Sequence, residues 1–407
     1  MKIGINSSKA YPSPKRILFI VTLGHMLQHF TQGVSVLYPS IMADLGLNYT
    51  QLGLIIAAGS ITGGSFQILF TILTRYFQKS FLLGIGTMII SLGFYVMSIA
   101  TNFSHLLISK IIWGFGSAAQ HPIGSTMISD QYDNKEIGKA FGLHFSLSNI
   151  GTLLGPIVMG TLSVTIGWEK TLLISVVPPL ILGVIMIHYL QNSESKNQHE
   201  LNDVLTDMRS ALRIKGAIPI IIAQSLITAG TGWGVIVKYT PLFLVDTINL
   251  DIFDMTIVYS IAVSGGIFGP LIIGKLSDKL GHIQLAILVT FISSIMIFLL
   301  TIYDSFTIFL VIHLFMLAFT AFSLSGLLQS HISDIVNKKD REMIIGLFYT
   351  IGYGSSSISV AIIGFLIDKY GSFTPAFFLI AILGIFATLI LLSQYLNRRS
   401  KHVQLNL

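Results

Sequence analysis

Twelve apolar stretches, each long enough at the helical rise to cross a bilayer, fill the chain from Ile17 to Leu396, and they form two similar groups of six. They run 17–41, 51–72, 80–100, 105–128, 140–162, 170–190, 217–244, 254–274, 284–302, 306–330, 343–367 and 374–396. One crossing takes roughly 20 apolar residues, and a span must satisfy its own backbone hydrogen bonds in lipid. The expected fold is therefore an all-α membrane protein with twelve transmembrane helices. Composition agrees: 10% of the 407 residues are charged and the mean hydropathy is +0.78, against about 25% charge in a soluble domain.

The longest polar interruption, Gln191 to Lys215, divides the chain into a six-helix bundle over 1–190, a linker over 191–216, and a second bundle with a short tail over 217–407. Basic residues set the orientation. Alternate loops and both ends hold 20 of the 24 Lys and Arg, while the opposite loops offer Lys170 and Lys369. Both termini and the linker are expected on the cytoplasmic side of the plasma membrane. The run from Ile17 to Ile41 exceeds the 7–15 residues of a signal-peptide core, so a retained first span is expected. The net charge of +6 is spread through short loops, which argues against a nucleic-acid partner. With no cysteine, disulfide and thiolate chemistry are excluded.

The two halves repeat at an offset of 204 residues. Ile128-Ser129-Asp130 corresponds to Ile332-Ser333-Asp334, Gly142-Leu143 to Gly346-Leu347, and Gly160 to Gly364. Parallel repeats of this kind place a shared site near the midplane, between the halves. After the eighth stretch the chain reads Gly274-Lys-Leu-Ser-Asp278-Lys-Leu-Gly281-His. That loop resembles the G-x-L-x-D-x-x-G signature of the major facilitator superfamily, at the position the family uses. The equivalent first-half loop is degraded, with Phe70, Thr74 and Phe77 in place of Gly, Asp and Gly; Arg75 is a basic match to Lys279. Lys110-x-x-x-Gly114-x-Gly116 resembles the family's R-x-x-x-G-x-G, with lysine replacing arginine. Gly151-x-x-x-Gly155-Pro156-x-x-x-Gly160 resembles its antiporter signature, with Met159 replacing one glycine. Gly24-His25 with Tyr38-Pro39, Gln120-His121-Pro122 and Gly142-Leu143-His144 are similar to fosmidomycin-resistance-type exporters. The resemblance covers almost the whole chain. It implies two pseudo-symmetric six-helix bundles that rock about a central cavity lined by helices one, four, seven and ten. It also implies a conformational lock around Gly274, Asp278, Gly281 and Arg75, where close helix ends would let Asp278 cap and salt-bridge across the loop. Gly151, Gly155, Pro156 and Gly160 would serve tight helix packing, with a proline that permits a kink.

All eighteen acidic residues fall in loops or at span ends. The deep ionisable groups are His25, His29, Lys110, His121, His144, Lys238 and His313, and such groups in a span are functional candidates. A cavity with donors of this kind suits a carboxylate, phosphate or phosphonate. Helical phase puts Lys110, Ser117, His121 and Ser125 on one face of span four, and Gln224, Thr228, Thr231 and Lys238 on one face of span seven. His25, Gln28, His29 and Gln32 form a polar stripe on span one. Expected substrate contacts are Lys238, Lys110, His121, Gln224, Thr228, Thr231 and Gln32, and expected proton-coupling residues are His25 and His29. Two readings stay open for Lys110, cavity or headgroup snorkelling, and two for His144 and His313, function or packing.

The sequence holds no G-x-x-x-x-G-K-[ST] loop, no H-E-x-x-H and no clustered carboxylates. ATP drive, a metal, a cofactor and an enzymatic role are not expected. The expected function is proton-coupled export, by a monomer, of a small anionic or amphiphilic organic molecule; the alternative is proton-coupled uptake of an organic or phosphorylated anion. The expected partners are that substrate, protons and the lipid bilayer.

Overall fold

A computed structural model describes residues 12–74, 76–132, 136–191, 214, 216–230, 233–336 and 338–405. Among them the ordered elements are all helical. They are α1 (Pro14–Thr31), a 3-10 segment (Gln32–Leu37), α2 (Tyr38–Leu45), α3 (Tyr49–Leu73), α4 (Lys79–Ser98), α5 (Phe103–Ser117), α6 (Gln120–Ser129), α7 (Ile137–Ser148), α8 (Ile150–Ser175) and α9 (Val177–Tyr189). After the linker come α10 (Ala217–Ala229), α11 (Trp233–Asp246), α12 (Ile252–Leu280), α13 (His282–Leu299), α14 (Ile308–Ala321), α15 (Leu324–Ile335), α16 (Lys338–Tyr370) and α17 (Thr374–Leu405). Most of the 191–216 linker lies outside the described residues, as do Arg75 and Thr231.

All twelve apolar stretches fall on helix, with short breaks. By length and composition, 8 described helical stretches could cross a membrane. One of these, Ala140–Tyr189, is 50 residues long and contains two of the expected spans. They part at Gly167, whose φ of 82° and ψ of 163° interrupt the helix, a conformation that favours glycine. The stretches missing from the eight are one, four and seven. These carry the polar stripes and are divided into shorter pieces: α1, the 3-10 segment and α2; α5 and α6; α10 and α11. Stretch ten is also divided, between α14 and α15.

The breaks have local causes. In stretch one, a Cβ on Gly33 would lie 2.3 Å from the carbonyl carbon of Gly155, so the chain there runs directly against α8, and Pro39 restarts the helix as α2. In stretch four, Pro122 supplies no N–H to the α5–α6 junction at Ala118–Ala119. In stretch seven, Gly230 ends α10 with non-helical φ and ψ of −114° and −99°.

The packing glycines meet backbone. Cβ atoms on Gly151 and Gly155 would stand 2.0 Å from the Met26 carbonyl oxygen and 2.3 Å from that of Phe30, both on α1. Pro156 lies within α8 and also faces Gly33. Gly160 instead packs on the Thr256 side chain of α12, in the other half.

Three apolar clusters organise the interior. One contains residues of both halves, among them Leu37, Leu52, Phe94, Tyr239, Phe243, Tyr259 and Val360. A second lies wholly in the second half, around Ile220, Leu285, Leu328 and Phe348. The third lies wholly in the first half, around Ile17, Leu83, Met127 and Met186. The halves therefore share a core at one end and have separate cores at the other, where the basic loops lie. The shared end is also pinned by polar contacts between the halves. Asp368 of α16 accepts from the backbone N–H of Tyr49 at 2.9 Å and of Thr50 at 2.6 Å, at the start of α3, and the Tyr49 hydroxyl donates to Asp246. At the basic-loop end of the first half, Lys79 pairs with Asp130 at 2.7 Å.

The loop signature departs from expectation. Asp278 sits in the last turns of α12, exposed, and forms no ion pair among the described residues. It caps no helix. Gly274 has open space where a Cβ would be, so no close helix approach requires it. Gly281 does require glycine: its φ of 92° ends α12.

Candidate functional site

The divided helices meet around one cavity of ≈ 180 Å³ between the halves, room for about six waters at roughly 30 Å³ each. Gln32, Lys110, His121, Gln224, Thr228 and Lys238 all line it, and so does His29. Helical phase grouped these side chains span by span, the family resemblance put the spans around one cavity, and the folded chain brings them together. Thr231 lies outside the described residues.

Each lysine is held in a distinct way. Lys110 is buried, 6% exposed, with its ammonium 5.1 Å from the Trp113 ring centroid and 5.5 Å from that of Tyr38. Such cation–π contacts offset part of the cost of desolvating the charge. The Trp113 indole is itself oriented by donating to Thr31 Oγ1 at 3.1 Å. Lys110 therefore faces the cavity and does not snorkel to the headgroups. Lys238, on α11 of the second half, reaches across to donate to Ser60 Oγ on α3 of the first half at 3.1 Å.

Among the described residues, buried polar atoms of the cavity wall without a hydrogen-bond partner include Gln28 Oε1, Gln224 Oε1 and Ser356 Oγ. The amide nitrogens of both glutamines are engaged, Gln28 Nε2 with the Ser117 carbonyl at 3.3 Å and Gln224 Nε2 with Ser325 Oγ at 3.1 Å. Buried polar groups are nearly always paired, so these two amide oxygens are spare acceptors on residues that line the cavity, although each has almost no accessible surface of its own.

Behind the wall lies a line of imidazoles. Thr22 Oγ1 meets His144 Nδ1 at 3.0 Å, His144 Nε2 meets His25 Nδ1 at 2.9 Å, His25 Nε2 meets His29 Nε2 at 3.1 Å, and His29 Nδ1 meets Thr152 Oγ1 at 2.9 Å. The His121 ring stands edge-on to His25 with centroids 4.9 Å apart. His25 is buried behind the cavity and His29 lines it. His144 is thereby part of the site, whereas His313 bonds Tyr303 and the Met296 carbonyl at 3.2 and 2.9 Å and lies off the cavity. The sequence reading also missed Tyr38, Ser60 and Trp113; Trp113, three residues after Lys110, shares its helical face.

An all-helical membrane protein with a mainly apolar cavity, carrying a few charged and polar side chains, between two repeated halves is built as a transporter. The family model of the Major Facilitator Superfamily matches residues 18–360, and the chain belongs to that superfamily. The sialic acid transporter NanX of Escherichia coli (strain K12) is 24% identical over 88% of this chain and 89% of its own length. The hexuronate transporter of Bacillus subtilis (strain 168) is 22% identical over 92% of each. Among solved structures, the nucleoside transporter NupG superposes with a TM-score of 0.74 at 14% identity, covering 93% of this chain and 99% of that one. An inward-facing, unoccupied bacterial homologue of the lysosomal transporter Spinster gives 0.70 at 15% identity, covering 95% and 96%.

Proposed function

We propose that this protein carries a small, hydroxyl-bearing organic anion across the membrane together with a proton, by alternating access. The observation that carries this reading is the donor and acceptor set of the cavity. Two lysines, one from each half, supply ammonium groups for a carboxylate. The unpartnered amide oxygens of Gln28 and Gln224 need donors, which hydroxyl groups supply. An anion bound between Lys110 and Lys238 would also draw the halves together, giving the binding energy a direct effect on closure. The names of relatives support the anion: sialic acid, L-galactonate, hexuronate and nitrate are all anionic.

The direction favoured by sequence, export, gives way to uptake in this reading. A proton on a cavity histidine raises the affinity for an anion, and by linkage the anion raises the affinity for the proton. The two therefore move together, whereas proton-driven export would need them to compete. The residues proposed for substrate contact are Lys238, Lys110, His121, Gln224, Thr228 and Gln32, with His25 and His29 for the proton. The lining of one cavity by all of these except His25, which lies behind it, and the core shared at the opposite end support a structure loaded and unloaded from the basic-loop side.

Ligand-induced stabilisation of the purified protein tests this directly. A ligand at 100 times its dissociation constant adds about 2.7 kcal/mol. D-glucuronate should raise the unfolding temperature, more so at pH 6 than at pH 8, and tetraphenylphosphonium should not. Stabilisation by the permanent cation with none by sugar acids, nitrate or phosphorylated anions would overturn the anion reading.

A further inference from the structure

We propose that His144, His25 and His29 form one relay that holds a single excess proton and passes it between the cavity wall and the interior of the first bundle. The proposal rests on the proton-coupled reading above. It adds His144 and fixes the capacity.

The argument is a count of hydrogens. The three rings have six nitrogens in four contacts: two ring–ring contacts of 2.9 and 3.1 Å and two end contacts with threonine hydroxyls at 3.0 and 2.9 Å. Each ring–ring contact needs one N–H and one bare nitrogen, and each hydroxyl can either donate or accept. Three neutral rings carry three hydrogens, two for the ring–ring contacts and one for either end. The neutral chain thus has two polarities, both fully bonded. One excess proton brings the total to four, which fills both ring–ring contacts and both ends. A fifth hydrogen would put two N–H groups face to face across one ring–ring contact. The geometry accepts zero or one excess proton and excludes two.

The same count describes the transfer. With the excess proton on His29, its Nε2–H donates to His25 Nε2, His25 Nδ1–H to His144 Nε2, and His144 Nδ1–H to Thr22. Breaking the His29 Nε2–H bond as His25 Nε2–H forms makes His25 the cation. Breaking His25 Nδ1–H as His144 Nε2–H forms then makes His144 the cation, and all four contacts persist at every stage. The rings come from α1 and α7, with Thr152 from α8. Other titratable groups facing the line are His121 of α6, 4.9 Å from His25 between centroids, and, across the cavity that His29 lines, Lys110 of α5 and Lys238 of α11. Among the described residues no group of three or more His, Cys, Asp or Glu side chains could hold a metal ion.

Nitrogen-15 imidazole NMR of the full chain in nanodiscs, titrated from pH 8 to pH 4, tests the capacity without any substrate. Rings are assigned by loss of signal in His25→Gln, His29→Gln and His144→Gln. The expected result is that the three rings respond together in one step and take up one proton between them. Three independent titrations, or no uptake by any of the three, would overturn the relay. In vesicles, His144→Gln should lose at least tenfold in pH-driven glucuronate accumulation; unchanged accumulation would remove His144 from the relay. If the unsubstituted protein does not move glucuronate, the substrate reading fails while the NMR result still decides the proposal.

Discussion

Lys238 and the histidines set different terms of the transport cycle, so their substitution should have different signatures. Lys238 reaches Ser60 across the halves, and its loss removes a charged donor worth about 1.5–3 kcal/mol to a bound anion. Lys238→Ala should raise KM for the anion about tenfold or more, and Lys238→Arg should recover much of it; equal effects would show that charge there is not used. Lys110, boxed by Trp113 and Tyr38, should tolerate arginine less well, because the larger guanidinium must fit the same aromatic walls. The double substitution of His25→Gln and His29→Gln should leave exchange intact while abolishing accumulation against a gradient. Accumulation that survives it would leave these rings as packing or substrate-contact residues and turn attention to His121 and Lys110. The sequence left His144 between function and packing because its partner, His25, lies 119 residues away. A lone histidine in an apolar run gives no sign of which neighbour it meets.

Helix packing carries the geometry on which those side chains depend. α1 presents His25 and His29, and α8 holds α1 close through Gly151 and Gly155. Gly151→Ala would drive a methyl group into the Met26 carbonyl, an overpacking cost of about 1–3 kcal/mol and a drop in unfolding temperature of about 3 °C or more. Gly354→Ala, with open space at its Cβ, should change it little. Thermal unfolding of both variants checks the contrast, and a Gly151→Ala protein as stable as the parent would contradict the packing account. The sequence made the small-residue pattern legible but not its target, since a spacing of four names a face and not the helix that meets it. The divided stretches one, four and seven were read as continuous spans for a similar reason. Apolar composition persists through a break, and the causes, Gly33 against α8 and the turn at Gly230, are tertiary or conformational.

At the level of the whole molecule, the two halves join at one end and separate at the other. The bonds from the start of α3 to Asp368 belong to the joined end. A hydrogen bond to a charged group is worth about 1 kcal/mol more than one to a neutral group, so Asp368→Asn should shift the population toward opening at that end. A cysteine introduced at Thr50 would then label faster, and unchanged labelling would contradict a role for these bonds in closure. Because the chain has no cysteine, introduced ones also test topology: Leu205 should label only from the cytoplasm and Asn249 only from outside. The loop signature shows the limit of a motif. Its letters are in place, yet Asp278 is exposed and Gly274 has open space, while Lys79 pairs with Asp130 at that end of the molecule. The central claim, that the cavity couples an anion to a proton moving the same way, is tested most directly by simultaneous flux. Proteoliposomes loaded with a pH-sensitive dye and given an inward proton gradient should accumulate labelled glucuronate while the lumen acidifies, and Lys238→Ala should depress both. Substrate entry with lumen alkalinisation, or transport indifferent to the gradient, would contradict it.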